Sequence, residues 1–339
     1  MTDYRYQDLE PEDDALESLN GVQPEPTDFE SLVDALQTEQ TFELSSKIFY
    51  GLSALEPEGI ARLRPVWDSL TPVYRRTLMR QLIEVAEANF ELDYGAIGRL
   101  GLQDSDPGVR EAAIEVLWED QTVDLMNRLI DMMSWDDVRE VRAAAASALG
   151  RFILAGELDE LPEAAATRAQ DAVVAVLNNH TEDVDVRRRA LESIANCGHE
   201  VVDDAIREAY EDTDERMRVS ALFAMGRTCD DNAWRDIVMR ELESQDPAMR
   251  YEAARAAGEL ELHNAIPRLS QLAQDQDREL KDVAIWSLGE IGGQDALRVL
   301  NRLADSTDPA EDAELAEAIE DAIANADLMN DDLLDEDDE

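Results

Sequence analysis

Side chains able to do acid–base, nucleophilic or metal chemistry are scarce in this sequence. It has three histidines, His180, His199 and His263, and two cysteines, Cys197 and Cys229. One histidine precedes a glutamate, as His199-Glu200. A two-iron site built from several such pairs would be short of ligands. His199 reads instead as a cation near a helix end, where free carbonyls favour positive charge. A serine or cysteine triad would have little general base to draw on. Aspartates do recur in turns, as Asp104-Ser105-Asp106, Asp183-Val184-Asp185 and Asp212-Thr213-Asp214. None has the loop length, middle glycine and final glutamate of a calcium loop. No glycine-rich phosphate loop or nucleophile elbow occurs. These residues predict a protein that is not an enzyme, with no catalytic residue, no metal and no cofactor.

The elements that position them repeat. Every 31 or 32 residues a basic residue follows an apolar one: Val109-Arg110, Val141-Arg142, Val186-Arg187, Met217-Arg218, Met249-Arg250 and Leu280-Lys281. Three residues on stands Ala113, Ala145, Ala190, Ala221, Ala253 or Ala284. Eight on, four copies carry glycine: Gly150, Gly226, Gly258 and Gly289. A fixed period of this size means stacked repeats. Solenoids expose long surfaces and bind partners on them.

Each unit reads as two helices. In the copy at Asn264–Gly292, the first helix is predicted over Asn264–Ala273, with Asn264 as its N-cap. The second has Leu280, Ala284, Leu288 and Ile291 on one face, and Gly292-Gly293 ends it. Turns at Asp106-Pro107, Asp246-Pro247 and Asp308-Pro309 carry helix start signals. The alanine lets neighbouring helices approach, and the glycine relieves crowding where units cross. Residues 1–27 and 327–339 each hold eight acids against one base and none, and read as acidic disordered tails. Residues 28–326 form the repeat body. Within it, 28–88 are degenerate capping repeats, including Thr71-Pro72-Val73-Tyr74-Arg75, and 89–326 are regular. The Arg142 to Arg187 spacing is about 13 residues longer than its neighbours, which predicts an insertion near 152–165.

Formal net charge is -49, from 79 acids and 30 bases, and -34 of it lies outside the two tails. Such a field repels nucleic acid and anionic lipid and attracts basic partners. Hydrophobic residues are 44% of the chain and aromatics only 5% of it, which suits close helix packing better than sheets. Two cysteines make no disulfide framework, and their similar offsets in neighbouring repeats place them near each other as free, buried thiols. Without a signal peptide or a spanning apolar run, the expected location is cytoplasmic, with no membrane contact.

The runs Val283-Ala-Ile-Trp-Ser-Leu-Gly-Glu-Ile-Gly-Gly293 and Asp106-Pro-Gly-Val-Arg-Glu-Ala-Ala113 resemble HEAT repeats, of the short HEAT-like type named after phycobilisome lyases. The resemblance covers roughly residues 70 to 325. It implies an all-α fold, a right-handed α-solenoid (superhelix) of about eight HEAT-like helix pairs. First helices would be convex and second helices concave. It implies a structural role for the repeated arginines and aspartates. Some HEAT-like proteins are enzymes. Deoxyhypusine hydroxylases bind two irons through His-Glu pairs that this chain lacks in number, and DNA glycosylases need a basic groove. Bilin lyases handle tetrapyrroles, and here only the repeat type supports that alternative.

One further pattern points to a partner. Position five past the repeated base reads Phe223, Arg255 and Trp286 in the later units, with Tyr251 and Arg227 one turn away. Aromatics with arginine form binding hot spots. The expectation is a non-enzymatic interaction scaffold or assembly chaperone. It would hold a protein partner, selected for basic charge, around Phe223, Arg227, Tyr251, Arg255 and Trp286.

Overall fold

The computed structural model describes residues 28–38, 45–310 and 312–335. The expected N-terminal tail, 1–27, lies outside the described residues. Among those described, eighteen α-helices and one short 3-10 helix occur, and no strand. They follow one another as antiparallel-type pairs of first and second helices, from Phe29–Thr38 with Ser46–Leu52 to Gly293–Ser306 with Ala313–Asp335. The fold is an α-solenoid. The chain divides into two compact units, Met1–Ala148 and Leu149–Glu339.

Second helices start where the sequence puts an acceptor side chain ahead of the first turn. Asp106 accepts from Val109 N, Asp214 from Arg216 N, Asp246 from Ala248 N and Asp277 from Glu279 N. Each satisfies an N–H that has no partner inside the helix. The repeated arginine then closes the turn. Arg110, Arg142, Arg218 and Arg250 each donate Nη1 to the carbonyl six residues back, on Asp104, Asp136, Asp212 and Ser244. These distances run from 2.8 to 3.0 Å. The repeated residues are therefore structural.

In the N-terminal unit the arginine also reaches the next turn. Arg110 pairs with Asp136 at 2.7 Å. One repeat earlier, Arg75 holds Asp104 in a two-pronged pair through its Nε and Nη2, at 2.8 and 3.0 Å, and donates Nη1 to Leu70 O at 2.6 Å. The Arg75 and Asp104 side chains are only 7% and 3% exposed. Trp67 Nε1 and Asp106 N fill the remaining acceptor positions of Asp104. Thr71-to-Arg75 thus keeps the function of the repeat although Leu78 has replaced its alanine.

In the C-terminal unit, second helices pack directly on one another, and the glycines mark where. A methyl group at Gly258 would meet Ser287 Cα at 2.9 Å, and one at Gly289 would meet Ala322 Cα at 3.0 Å. Gly226 faces Ala256 in the same way. Ser287, fully buried, bridges across to Ala254 O at 2.8 Å.

Several expectations need correction. The 264 unit opens with a 3-10 turn, His263–Ala265, before the helix Ile266–Leu272, so Asn264 is not an N-cap. Pro267 at the second helical position leaves that start unharmed. The last helix is capped by Asp312, which accepts from Leu315 N, not by Asp308. That helix, Ala313–Asp335, covers much of the expected C-terminal tail, because its apolar residues Ile319, Ala322 and Ala326 are buried. The longer spacing after Arg142 is absorbed by two lengthened helices, Arg139–Glu157 and Glu163–Leu177, with a short loop between. The cysteines do not share an environment: Cys197 is buried, while Cys229 is exposed in a left-handed conformation at φ 54°.

Two outcomes follow. Asp104→Ala leaves Arg75 charged and buried, and should cost about 3–5 kcal/mol by urea unfolding. The Arg75→Met, Asp104→Leu double substitution should cost clearly less. Gly258→Ala should cost roughly 1–3 kcal/mol, because its methyl meets backbone that has no room to yield.

Candidate functional site

The second-helix face of the C-terminal unit brings part of the expected cluster together. Arg255 lies over the Phe223 ring, its guanidinium carbon 3.9 Å from the centroid. Arg227 approaches the same ring at 5.7 Å. Both rise from positions that share a face by helical spacing, Phe223 and Arg227 on Glu215–Arg227 and Arg255 on Pro247–Glu259. Arg255 also donates to Glu252 at 2.9 Å, to Glu259 at 3.0 Å and to Phe223 O at 3.4 Å. Arg227 pairs with Glu259 at 3.5 Å. Tyr251 is half-buried, and its hydroxyl is held above its usual range by burial, beside Glu252. Trp286 stands apart from this network and is 40% exposed.

The carboxylates were not singled out from the sequence. Glu192 is buried and bound by Ser220 Oγ, by Arg189 at 2.6 Å and by Arg188 at 3.4 Å. Burial raises Glu252 above the ordinary carboxyl range despite its bond to Arg255, with Glu192 and Glu259 adding repulsion. Burial likewise raises Glu259 against the pull of Arg255 and Arg227, and Glu290 although Asn325 donates to it at 2.9 Å. Four acids thus stand on three second helices, Glu192 on Val184–Ile194, Glu252 and Glu259 on Pro247–Glu259 and Glu290 on Arg278–Ile291. No composition signal separates them from the 79 acids of the chain. Only their burial does.

Metal chemistry finds less support. Among the described residues no group of three or more His, Cys, Asp or Glu side chains could hold a metal ion. His180 and His263 are exposed. His199 Nδ1 accepts from Val201 N at 3.2 Å, next to a helix start rather than a helix end. The same residues include no helix long and apolar enough to cross a membrane.

A family model described as HEAT repeats matches residues 99–178 and 235–320. A curated relative, deoxyhypusine hydroxylase of Drosophila melanogaster, is 28% identical over 123 residues. That match takes in 36% of this chain and 40% of the relative, so the chain spans less than half of the curated relative's length. The Drosophila pseudoobscura pseudoobscura protein of the same name is 27% identical over the same length. Among solved structures, human deoxyhypusine hydroxylase covers 88% of this chain and 97% of its own, at 16% identity and TM-score 0.34. The CpcE–CpcF complex of phycocyanin lyase from Nostoc sp. covers 68% and 94%, at 18% identity and TM-score 0.45. The curated relatives are enzymes by name. That finding overturns the expectation of a non-enzymatic scaffold or assembly chaperone, and with it the inference of no enzyme. The inference had rested on motifs the chain lacks, and partial relatedness to an enzyme is evidence of another kind.

The raised glutamates predict a signed pH response. Their folded values exceed the unfolded one, near 4.5, so folding favours their protonated forms. The stability they add is full below that unfolded value and is lost as pH rises through their folded values. Asp214, lowered chiefly by its bond to Arg216, behaves oppositely and loses its contribution as pH falls. Carboxyl-carbon NMR should show Glu252 and Glu259 titrating above the exposed glutamates. Glu252→Gln with Glu259→Gln should flatten the fall in stability above pH 4.5.

Proposed function

We propose, from the premise that this chain is a HEAT-repeat protein, that it recognises a basic segment of a protein partner on the second-helix face of its C-terminal unit. The observation that carries this reading is the line of desolvated carboxylates, Glu192, Glu252, Glu259 and Glu290, interleaved with Phe223 and Trp286. A carboxylate that has already lost water gains more from an arriving cation than an exposed one does. The net charge of -49 adds long-range attraction for a basic partner and repels nucleic acid. Phe223, Arg227, Tyr251, Arg255 and Trp286 supply the rim, with Arg255 setting the spacing of the acids. A cytoplasmic setting agrees with the two free thiols.

A second reading, a hydroxylase of the kind named by the curated relatives, is favoured by the 28% match. An iron centre of several His-Glu pairs does not fit the described residues, which offer no such ligand group and one His-Glu pair, His199-Glu200. No step through iron is derived from this chain.

Two experiments separate these. An arginine- and lysine-rich peptide should bind by calorimetry, and its all-glutamate counterpart should not. Glu252→Gln with Glu259→Gln should weaken binding about tenfold, or ~1.4 kcal/mol. Unchanged affinity would defeat the first reading. Chain loaded anaerobically with ferrous iron and desalted should retain well below one iron per chain. Two retained irons would favour the hydroxylase.

A further inference from the structure

The C-terminal unit already holds one cation on this face, and it is the chain's own. The Phe223–Arg255 clamp consists of an aromatic ring, a guanidinium across its face and two carboxylates, Glu252 and Glu259, on the guanidinium edges. The register that builds it repeats. Gly226 faces Ala256, Gly258 faces Ser287 and Gly289 faces Ala322, each the eighth position of one helix against the sixth of the next. Polar pairs keep the same register. Arg227 with Glu259, at 3.5 Å, and Glu290 with Asn325, at 2.9 Å, each join two ninth positions. This assigns Ala316 to the base position of the last helix and Asp321 to its fifth.

One helical turn back from each ninth-position pair lies a fifth-position pair. In the first case it is Phe223 beside Arg255. In the later case it is Trp286 beside Asp321. The later pair keeps the aromatic ring, but Asp321 stands where the first has Arg255 and Glu290 where it has Arg227, while Ala318 and Asn325 take the places of Glu252 and Glu259, so two acids replace two arginines about the ring. Trp286 is 40% exposed, and among the described residues no arginine caps its ring.

We propose that Trp286, Glu290 and Asp321 form the charge-inverted counterpart of this site, acids where Arg227 and Arg255 flank Phe223, and take the guanidinium of a partner's arginine. Indole is the strongest of the aromatic faces for a cation. A planar guanidinium stacks on it and still offers edge donors to two carboxylates, which a lysine ammonium cannot do together. Asp282, one turn before Trp286, is engaged by Arg278 at 2.8 Å and leaves the ring face to the incoming group. Burial raises Glu290 against its bond from Asn325. This inference rests on the reading that the face binds a basic segment, and it adds the residue type and the place.

The test uses two peptides of equal charge, one with arginines and one with lysines at the same positions. Binding to the full chain is followed by Trp286 fluorescence, assigned by difference against Trp286→Leu. The arginine peptide should bind about tenfold more tightly. Trp286→Leu should abolish that preference, and Asp321→Asn, at an exposed position, should reduce it several-fold without affecting folding. Equal affinity for the two peptides, or a preference that survives in both variants, overturns the clamp and leaves the broader reading standing. Failure of both peptides to bind overturns both.

Discussion

In four of the six regular repeats a guanidinium reaches back to the turn before its own helix. Arg110, Arg142, Arg218 and Arg250 make the same bond to the carbonyl six residues upstream. Such carbonyls lie in a turn that has no ladder partner to offer, and a charged donor satisfies them better than a neutral one. The turn sets where the second helix begins, and the aspartate cap sets its first hydrogen bonds. Once both are fixed, every later position in the helix has a defined direction. The packing alanine, the close-approach glycine and the fifth-position side chain are all consequences. In the N-terminal unit the same arginine also takes a carboxylate from the following turn, as Arg75 does with Asp104 and Arg110 with Asp136. Neighbouring turns are thereby tied by charge as well as by apolar burial.

That dependence explains what could be read from the sequence. The arginine, aspartate, alanine and glycine positions recur because the fold needs them, so the solenoid and its pairing were visible in a single chain. The fifth-position series also led to a real contact, Arg255 on Phe223. What stayed hidden were features with no repeat signature. Glu252 and Glu259 look like any other acids until packing removes their water. Asp308-Pro309 looked like a helix start, but Asp312 won because the buried Ile319 and Ala322 fix the phase of that helix. Composition marked residues 327–339 as tail, whereas helix extends to Asp335 from an anchored first half.

Function was less legible for the same reason. Positions that define the repeat are occupied by structural work and carry no record of a ligand. The relatedness to deoxyhypusine hydroxylases covers 36% of the chain and shows kinship with enzymes where motif inspection showed none. The histidines available here are exposed or engaged with backbone, so kinship and ligand chemistry point in different directions. The desolvated acids and the exposed indole stand at positions that the repeat signature does not fix.

The glycine contacts of the C-terminal unit also have a mechanical side. Where Gly258 meets Ser287 and Gly289 meets Ala322, the spacing of adjacent second helices is set by main chain against main chain. Such a contact is hard along the line joining the helices, since only backbone and the short side chains of Ser287 and Ala322 lie there. It is not the only tie across each pair: Ser287 Oγ binds Ala254 O one turn from Gly258, and Asn325 binds Glu290 beside Gly289. Two ties a turn or less apart fix the angle between adjacent helices as well as their distance. Side chains beside them, such as Glu290 and Trp286, are thereby held on a frame that is rigid in both respects.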